Sequence, residues 1–415
     1  MKYSKILGSV VLSTFLLLGT SGCDSSSDPE TAVEEVITPY TRVAVIEGKD
    51  WDDVNDIATK IAQYVIHTDE SDITANGVME LPTNWVIAGA KLPAETFELG
   101  DLLPIPVLVN GVTKKSRVIE FCNGAYATQA VGTGKFHGSA LPCEVSVHSE
   151  NGNVYVDMLD AEAIFNIFFT DAKDNFNDTE NAEFAAMAAE VKSELRQMII
   201  AALADPATGV TGTDAIVNTE LTDELGPEFT QDKIDNDIAF RSPYIVYKYK
   251  RTAGGTFDLT NAGQLAESII DVLGDDSDTA ENRLPGLSIG SAWRSGRPDP
   301  IAIPGVKVVE ACSPKYAKKA TALGNEYITA LPCEFTVYVD ETDETGQTLA
   351  ISFLNPNFMF GTMFEGAVSN AFSNGALTKK EVIEYSTLAD VVFGDLRMIV
   401  DHAVQNSALD LTISE

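Results

Sequence analysis

The chain has 415 residues, 62 of them acidic and 28 basic, which gives a formal net charge of −34 at pH 7. A phosphate backbone would be repelled by such a chain, so nucleic-acid binding is excluded. With 45% hydrophobic residues the sequence can fold, and its length suits two domains, each large enough to bury a core.

Residues 1–22 open with Lys2 and Lys5, run apolar over 6–18, and end in Thr20, Ser21 and Gly22 directly before Cys23. This is the layout of a secretory signal peptide, too short to span a membrane as a mature helix. Small residues ending in a cysteine resemble the bacterial lipobox, with Thr20 where leucine is usual. The resemblance implies lipidation of Cys23 and a membrane lipoprotein at an extracytoplasmic, periplasmic face. Asp24 directly after Cys23 resembles an inner-membrane retention signal. The Ser- and acid-rich stretch that follows has nothing to bury, so residues 23–40 are expected to form a lipidated flexible tether.

A first domain is expected over 41–205. A strand at 42–46 leads into a helix on which Trp51, Val54, Ile57, Ile61 and Val65 recur at helical spacing. After a middle region poor in pattern (84–89) and Pro-rich turns (103–111) come a strand at 117–121, a helix capped by Asn123, and a hairpin turning at 149–153. A long helix closes the unit, with Phe184, Met187, Val191, Leu195, Met198 and Ala202 as its apolar stripe. Residues 206–241 lack a period and are expected to be a linker with one short element. A second domain, 242–415, repeats the order. It has a strand at 244–249, a helix carrying Leu265, Ile269 and Leu273 and stopped by Gly274, and a strand at 307–311. A helix follows with Ser313 as cap and Pro314 at its first position, then a strand from Cys333 with a hairpin loop around 340–347. A final long helix opens with a capping box at Thr378 and Glu381 and carries Tyr385, Leu388, Val392, Leu396 and Ile399.

The two units share a segment. Residues 118–147 reappear without a gap as 308–337, with thirteen of thirty positions identical, among them Glu120/Glu310, Cys122/Cys312, Tyr126/Tyr316, Gly134/Gly324 and Cys143/Cys333. This is duplication of a whole structural unit. Past the hairpin the matches, such as Leu159/Leu354 and Phe165/Phe360, shift by five residues, because the second hairpin loop is longer.

The motif Glu-Ala-Cys-Ser-Pro from Glu310, the Leu-Pro-Cys-Glu at 331–334 and 141–144, and the Leu-Asn-Pro at 354–356 resemble the domain-of-unknown-function 302 family (DUF 302). Members of that family typically show Cys-Asn-Pro opening a helix and Leu-Pro-Cys-Asn opening the next strand. Each copy here keeps a different half of the first element, and Glu144 and Glu334 replace asparagine in the second. The resemblance covers the C-terminal half of each copy. It implies an α+β fold, two tandem repeats each with an antiparallel sheet packed by helices, and no established activity.

Four cysteines form two equal pairs, Cys122 with Cys143 and Cys312 with Cys333. In an exported protein they are candidates for a disulfide in each domain, worth on the order of 3 kcal/mol. The alternative is a redox or soft-metal site. Cys122 and Cys312 precede helix N-termini, and Glu120 and Glu310 share their strand face, so Glu120, Cys122 and Cys143, and Glu310, Cys312 and Cys333, form two possible metal sets. Other constellations carry less. The Gly-x-Ser-x-Gly at 286–290 lacks a strand-turn-helix setting. His137 and His148 align with Tyr327 and Tyr338, which excludes a histidine metal site common to both copies, and both are expected at or near the surface. The acidic runs lack calcium-loop spacing, and Phe165, Phe168 and Phe169 read as core or domain-interface packing. The chain therefore reads as a binding or accessory module with no assigned catalytic residue and no identified cofactor. Its alternative is a thiol-dependent redox or soft-metal-binding protein, and its partners are the membrane, through the lipid anchor, and an unknown small ligand or partner protein.

Overall fold

The computed structural model describes residues 36–50, 53–67, 85–87, 107–109, 112–114, 116–141, 143–204, 216–218, 224–274, 287–288, 291, 293, 295, 300–330 and 333–414. The signal and tether expected at the N-terminus, Trp51 and most of the Pro-rich turns lie outside the described residues. From Val36 onward both repeats belong to one compact unit.

In the first repeat β1 (Tyr40–Glu47) is followed by the helix Val54–His67. Then come the short strands β2 (Trp85–Ile87), β3 (Val107–Val109) and β4 (Val112–Lys114), and the long strands β5 (Ser116–Asn123), β6 (Cys143–Glu150) and β7 (Asn153–Leu159). The hairpin between β6 and β7 turns on two residues with positive φ, Asn151 and Gly152, a turn whose twist suits antiparallel strands. The stretch read as a linker supplies β8 (Ile216–Asn218) and β9 (Glu224–Leu225), both paired with β1, and the helix Gln231–Phe240. Sequence periodicity misses these elements because strands of two or three residues are too short to show alternation.

The second repeat contributes β10 (Tyr244–Arg251), β11 (Ile301–Ile303), β12 (Val306–Ala311), β13 (Cys333–Val339), β14 (Thr348–Leu354) and β15 (Leu411–Ile413). The two sheets run β2-β5-β6-β7-β1-β8 and β11-β12-β13-β14-β10-β15, all neighbours antiparallel, so the α+β two-repeat class is observed. The expected long first helix is Asp178–Ala204, with every residue of its apolar stripe buried. Its counterpart is broken into Lys379–Tyr385, opened by the Thr378–Glu381 capping box, and Leu388–Asn406.

Strand alternation gives each sheet two faces. Ile119, Phe121, Val145, Val147, Val154, Val156 and Met158 join the main core with the helices Val54–His67 and Asp178–Ala204, which pack on this sheet. The other face is covered by the opposite repeat. A 3-10 turn of the first repeat, Lys135–Ala140, lies on β13 and β14, and the equivalent turn of the second, Glu326–Ala330, lies on β6 and β7. Corresponding residues then make corresponding contacts. Tyr40 meets Tyr327 edge-on at 5.5 Å and reaches Met363 O at 3.5 Å. Tyr244 meets His137 at 5.4 Å and donates to Phe168 O at 2.9 Å. The repeats are thus related by an approximate two-fold with exchanged arms.

The exchanged surfaces differ in chemistry. Arg42 faces Asp157 across β1 and β7 and binds it through two nitrogens at 2.8 and 3.2 Å. His148 Nε2 lies 3.5 Å from the same carboxylate. At the matching register position of the second repeat, Val246 faces Ser352.

Candidate functional site

Both cysteine junctions lie where a central strand gives way to a helix. Asn123 caps the helix Gly124–Gly132 by accepting from Ala125 N at 3.0 Å, as expected. Ser313 occupies the cap position of Pro314–Leu323 but makes no cap bond; its hydroxyl is turned to donate to Ser291 O. Cys122 is partly exposed and Cys312 buried. The ladder pairs Phe121 with Cys143 and Ala311 with Cys333, one position away from Cys122 and Cys312. The side chains of Cys143 and Cys333 lie outside the described residues. Glu120 faces Glu144 directly, and Glu310 faces Glu334, all four at 5% exposure or less. Glu144 and Glu334 come together in a small cleft whose lining pairs Ser139 with Thr329, Ala140 with Ala330 and Leu159 with Leu354, which puts it on the approximate two-fold. Among the described residues no group of three His, Cys, Asp or Glu side chains is placed to hold a metal ion.

Next to each cysteine stands a cluster that the spacing of the repeat does not reveal. In the second repeat Asp395, 4% exposed, accepts from Ser288 N at 3.0 Å, Trp293 Nε1 at 2.9 Å and the Tyr316 hydroxyl at 2.8 Å. In the first, Trp85 Nε1 donates to Glu194 at 2.8 Å. Burial, and then the hydrogen bond to Glu194, push the Tyr126 hydroxyl well above its ordinary pKa. A Trp, a Tyr and a carboxylate from the closing helix therefore brace each helix start. Ser288, the serine of the Gly-x-Ser-x-Gly run, belongs to this brace, its hydroxyl 2.8 Å from Asp395. Repetition is the signal that could have found the brace, but Trp85/Trp293, Tyr126/Tyr316 and Glu194/Asp395 stand at three different offsets and the carboxylates differ in type. Beside Cys312 the brace borders a narrow apolar cleft walled by Tyr316, Met359, Phe360 and Phe364, with room for about 40 Å³, on the scale of one water.

A cavity of about 320 Å³ lies where the repeats and their connection meet. Phe136, Phe168 and Asp171 come from the first repeat, Ile238 from the connecting helix, and Tyr244 and Val246 from β10. Behind it stands His137, fully buried, against the expectation of a surface histidine. Its ring lies between Phe136 at 4.2 Å and Phe169 at 4.3 Å, with Nδ1 2.7 Å from Thr133 Oγ1 and Nε2 3.0 Å from Asp171 Oδ1. His148 is likewise buried, at 1% exposure. The His137 ring is closed in by Phe136 and Phe169 of its own repeat and Tyr244 of the other, an enclosure that the periodicity of a single turn cannot show. The phenylalanines behave as expected: Phe165 stacks on Phe169 in the core, and Phe168 meets Phe358 of the second repeat at 5.7 Å.

The family model described as "Domain of unknown function DUF302" matches residues 109–202 and again 300–379. No curated protein and no solved structure matches the chain. The two matched stretches contain the paired glutamates, the cysteine junctions and the exchanged turns, and the chain is a tandem DUF302 protein.

Proposed function

We propose that this protein is a membrane-anchored, extracytoplasmic binding module, and that the cavity beside His137 and Asp171 is its ligand site. One observation carries the reading: a space of about 320 Å³, predominantly apolar with a few converging polar groups, built from both repeats and their connection. That is the lower end of the size range of small-molecule sites. Anchoring through Cys23 rests on the signal-like sequence of residues 1–22.

The apolar probe N-phenyl-1-naphthylamine tests the site. Its fluorescence should rise and saturate with the wild-type protein and should be lost on Ile238→Trp, which fills the cavity. An equal signal from both proteins would refute the assignment. Anchoring is tested by Cys23→Ser, which should release the protein from the membrane fraction. Within the same reading Cys122 with Cys143, and Cys312 with Cys333, staple the junctions, supported by the equal spacing of the two pairs and by the oxidising exterior. Intact mass after alkylation without reductant must then count two bridges; four alkylated thiols would sink the staple.

A further inference from the structure

We propose that the ligand of this cavity is a small organic cation, an ammonium group on an apolar or aromatic body; this rests on the cavity being a binding site. The Tyr244 hydroxyl gives its only proton to Phe168 O, and the Thr170 hydroxyl gives its proton to Asn166 O at 2.9 Å. Each is left able only to accept. Asp171 is a third acceptor. Because a carboxylate only accepts, His137 Nε2 must carry the proton between them, which fixes Oδ1 and leaves Oδ2 for a ligand. Among the described residues that line the cavity there is no lysine or arginine. The nearest cation in sequence, Lys173, is held by Asn166 Oδ1 at 2.7 Å. Ser242, whose hydroxyl accepts from Tyr244 N at 3.1 Å, is the one hydroxyl of the lining with a proton still to give, and the other described wall residues are apolar or aromatic: Phe136, Ile167, Phe168, Ile238, Pro243 and Val246, with the Tyr244 ring.

With a neutral guest Asp171, about half exposed, keeps His137 as its partner and gains nothing, and an anion would meet its carboxylate head-on. An ammonium group meets the carboxylate, and aromatic rings favour a nearby cation. The excess of acidic over basic residues raises the local concentration of cations around the whole molecule. The second repeat has no such site. Tyr327 stands where His137 does and packs on Tyr40 and Phe364, and Asp171 has no carboxylate counterpart, so the cation site belongs to one side of the two-fold.

The experiment compares 2-phenylethylamine with 2-phenylethanol, equal in shape and different in charge, by calorimetric titration of the mature protein. The amine should bind about tenfold or more tighter than the alcohol, as expected of a charge-assisted hydrogen bond. Asp171→Asn, which keeps an oxygen for His137, should bring the two within about twofold. Ile238→Trp should abolish both while leaving Asp171 in place. Equal binding of amine and alcohol to wild type, or a preference that survives Asp171→Asn, would overturn the cation assignment and leave the cavity reading standing. Failure of both compounds and of the naphthylamine probe would overturn both.

Discussion

Gly138 offers the sharpest test of the exchanged arms. It is buried in the 3-10 turn of the first repeat, and a Cβ there would stand 2.7 Å from Thr336 Cγ2 and 2.8 Å from Thr336 Oγ1 of the second repeat. Its φ lies outside the region reserved for glycine, so Gly138→Ala introduces a steric conflict and no backbone strain. Inserting a methyl into a packed site costs about 1–3 kcal/mol, reduced by up to ~1 kcal/mol because alanine lowers the entropy of the unfolded chain. We expect a net loss near ~1.5 kcal/mol. Thr336→Ala removes both offending atoms, and the Thr336 hydroxyl has no hydrogen-bond partner among the described residues, so its removal forfeits none. In the double variant the penalty should vanish, with a coupling of at least about 1 kcal/mol in a urea denaturation cycle. Additivity within about 0.5 kcal/mol would show that the two residues do not touch. Two separate unfolding transitions would show that the repeats are not one cooperative body.

The repeats themselves supply the next test. Arg42→Val should cost about 3–5 kcal/mol by removing the two-nitrogen partner of Asp157, whose side chain is fully buried, and adding Asp157→Ser, which installs the second repeat's pair of valine and serine, should recover most of that loss in denaturant midpoint. Asp395→Ala removes the shared acceptor of Trp293 Nε1, Ser288 N and the Tyr316 hydroxyl and should cost about 2–4 kcal/mol. Glu194→Ala, whose carboxylate is partly exposed, should cost less, as read by tryptophan emission during unfolding. In the loop after β13, hydrogen bonds from the Thr345 and Thr348 hydroxyls hold the Asp343 carboxyl down to about 2. A depressed carboxyl stabilises above its unfolded pKa and loses that contribution as pH falls through the folded one. Carboxyl NMR should therefore place its midpoint near 2, and Thr348→Val should move it up.

The framework was readable because it is written in short-range pattern. Alternating strands, the Asn123 cap, the Thr378–Glu381 box and the stripe of Asp178–Ala204 each follow from neighbours within a turn or two. What escaped depends on residues far apart. His137 looks like a surface residue until Phe169 and Tyr244 close in on it, and β8 and β9 are too short to declare themselves before β1 offers an edge. The Ser313 hydroxyl is turned to a backbone oxygen at Ser291 and makes no cap bond. The cysteines and glutamates were found because the duplication repeats them. The cavity was not, since Asp171 and Ile238 occur once and meet only when the connection folds back.

The exchange of the 3-10 turns has a consequence for how such a molecule can change. Were the two halves separate identical subunits, every substitution would appear on both sides of the axis at once, and a residue useful at one surface would be imposed on the other. Joined in one chain, each half inherits a partner that mutates independently. Thr336 can remain small for Gly138 while its counterpart Ser146 lies beside a histidine, and an Arg–Asp pair can arise on one sheet without appearing on its twin. Fusion has turned a symmetric contact into two separately tunable ones, and the cavity beside His137 is built where the two differ.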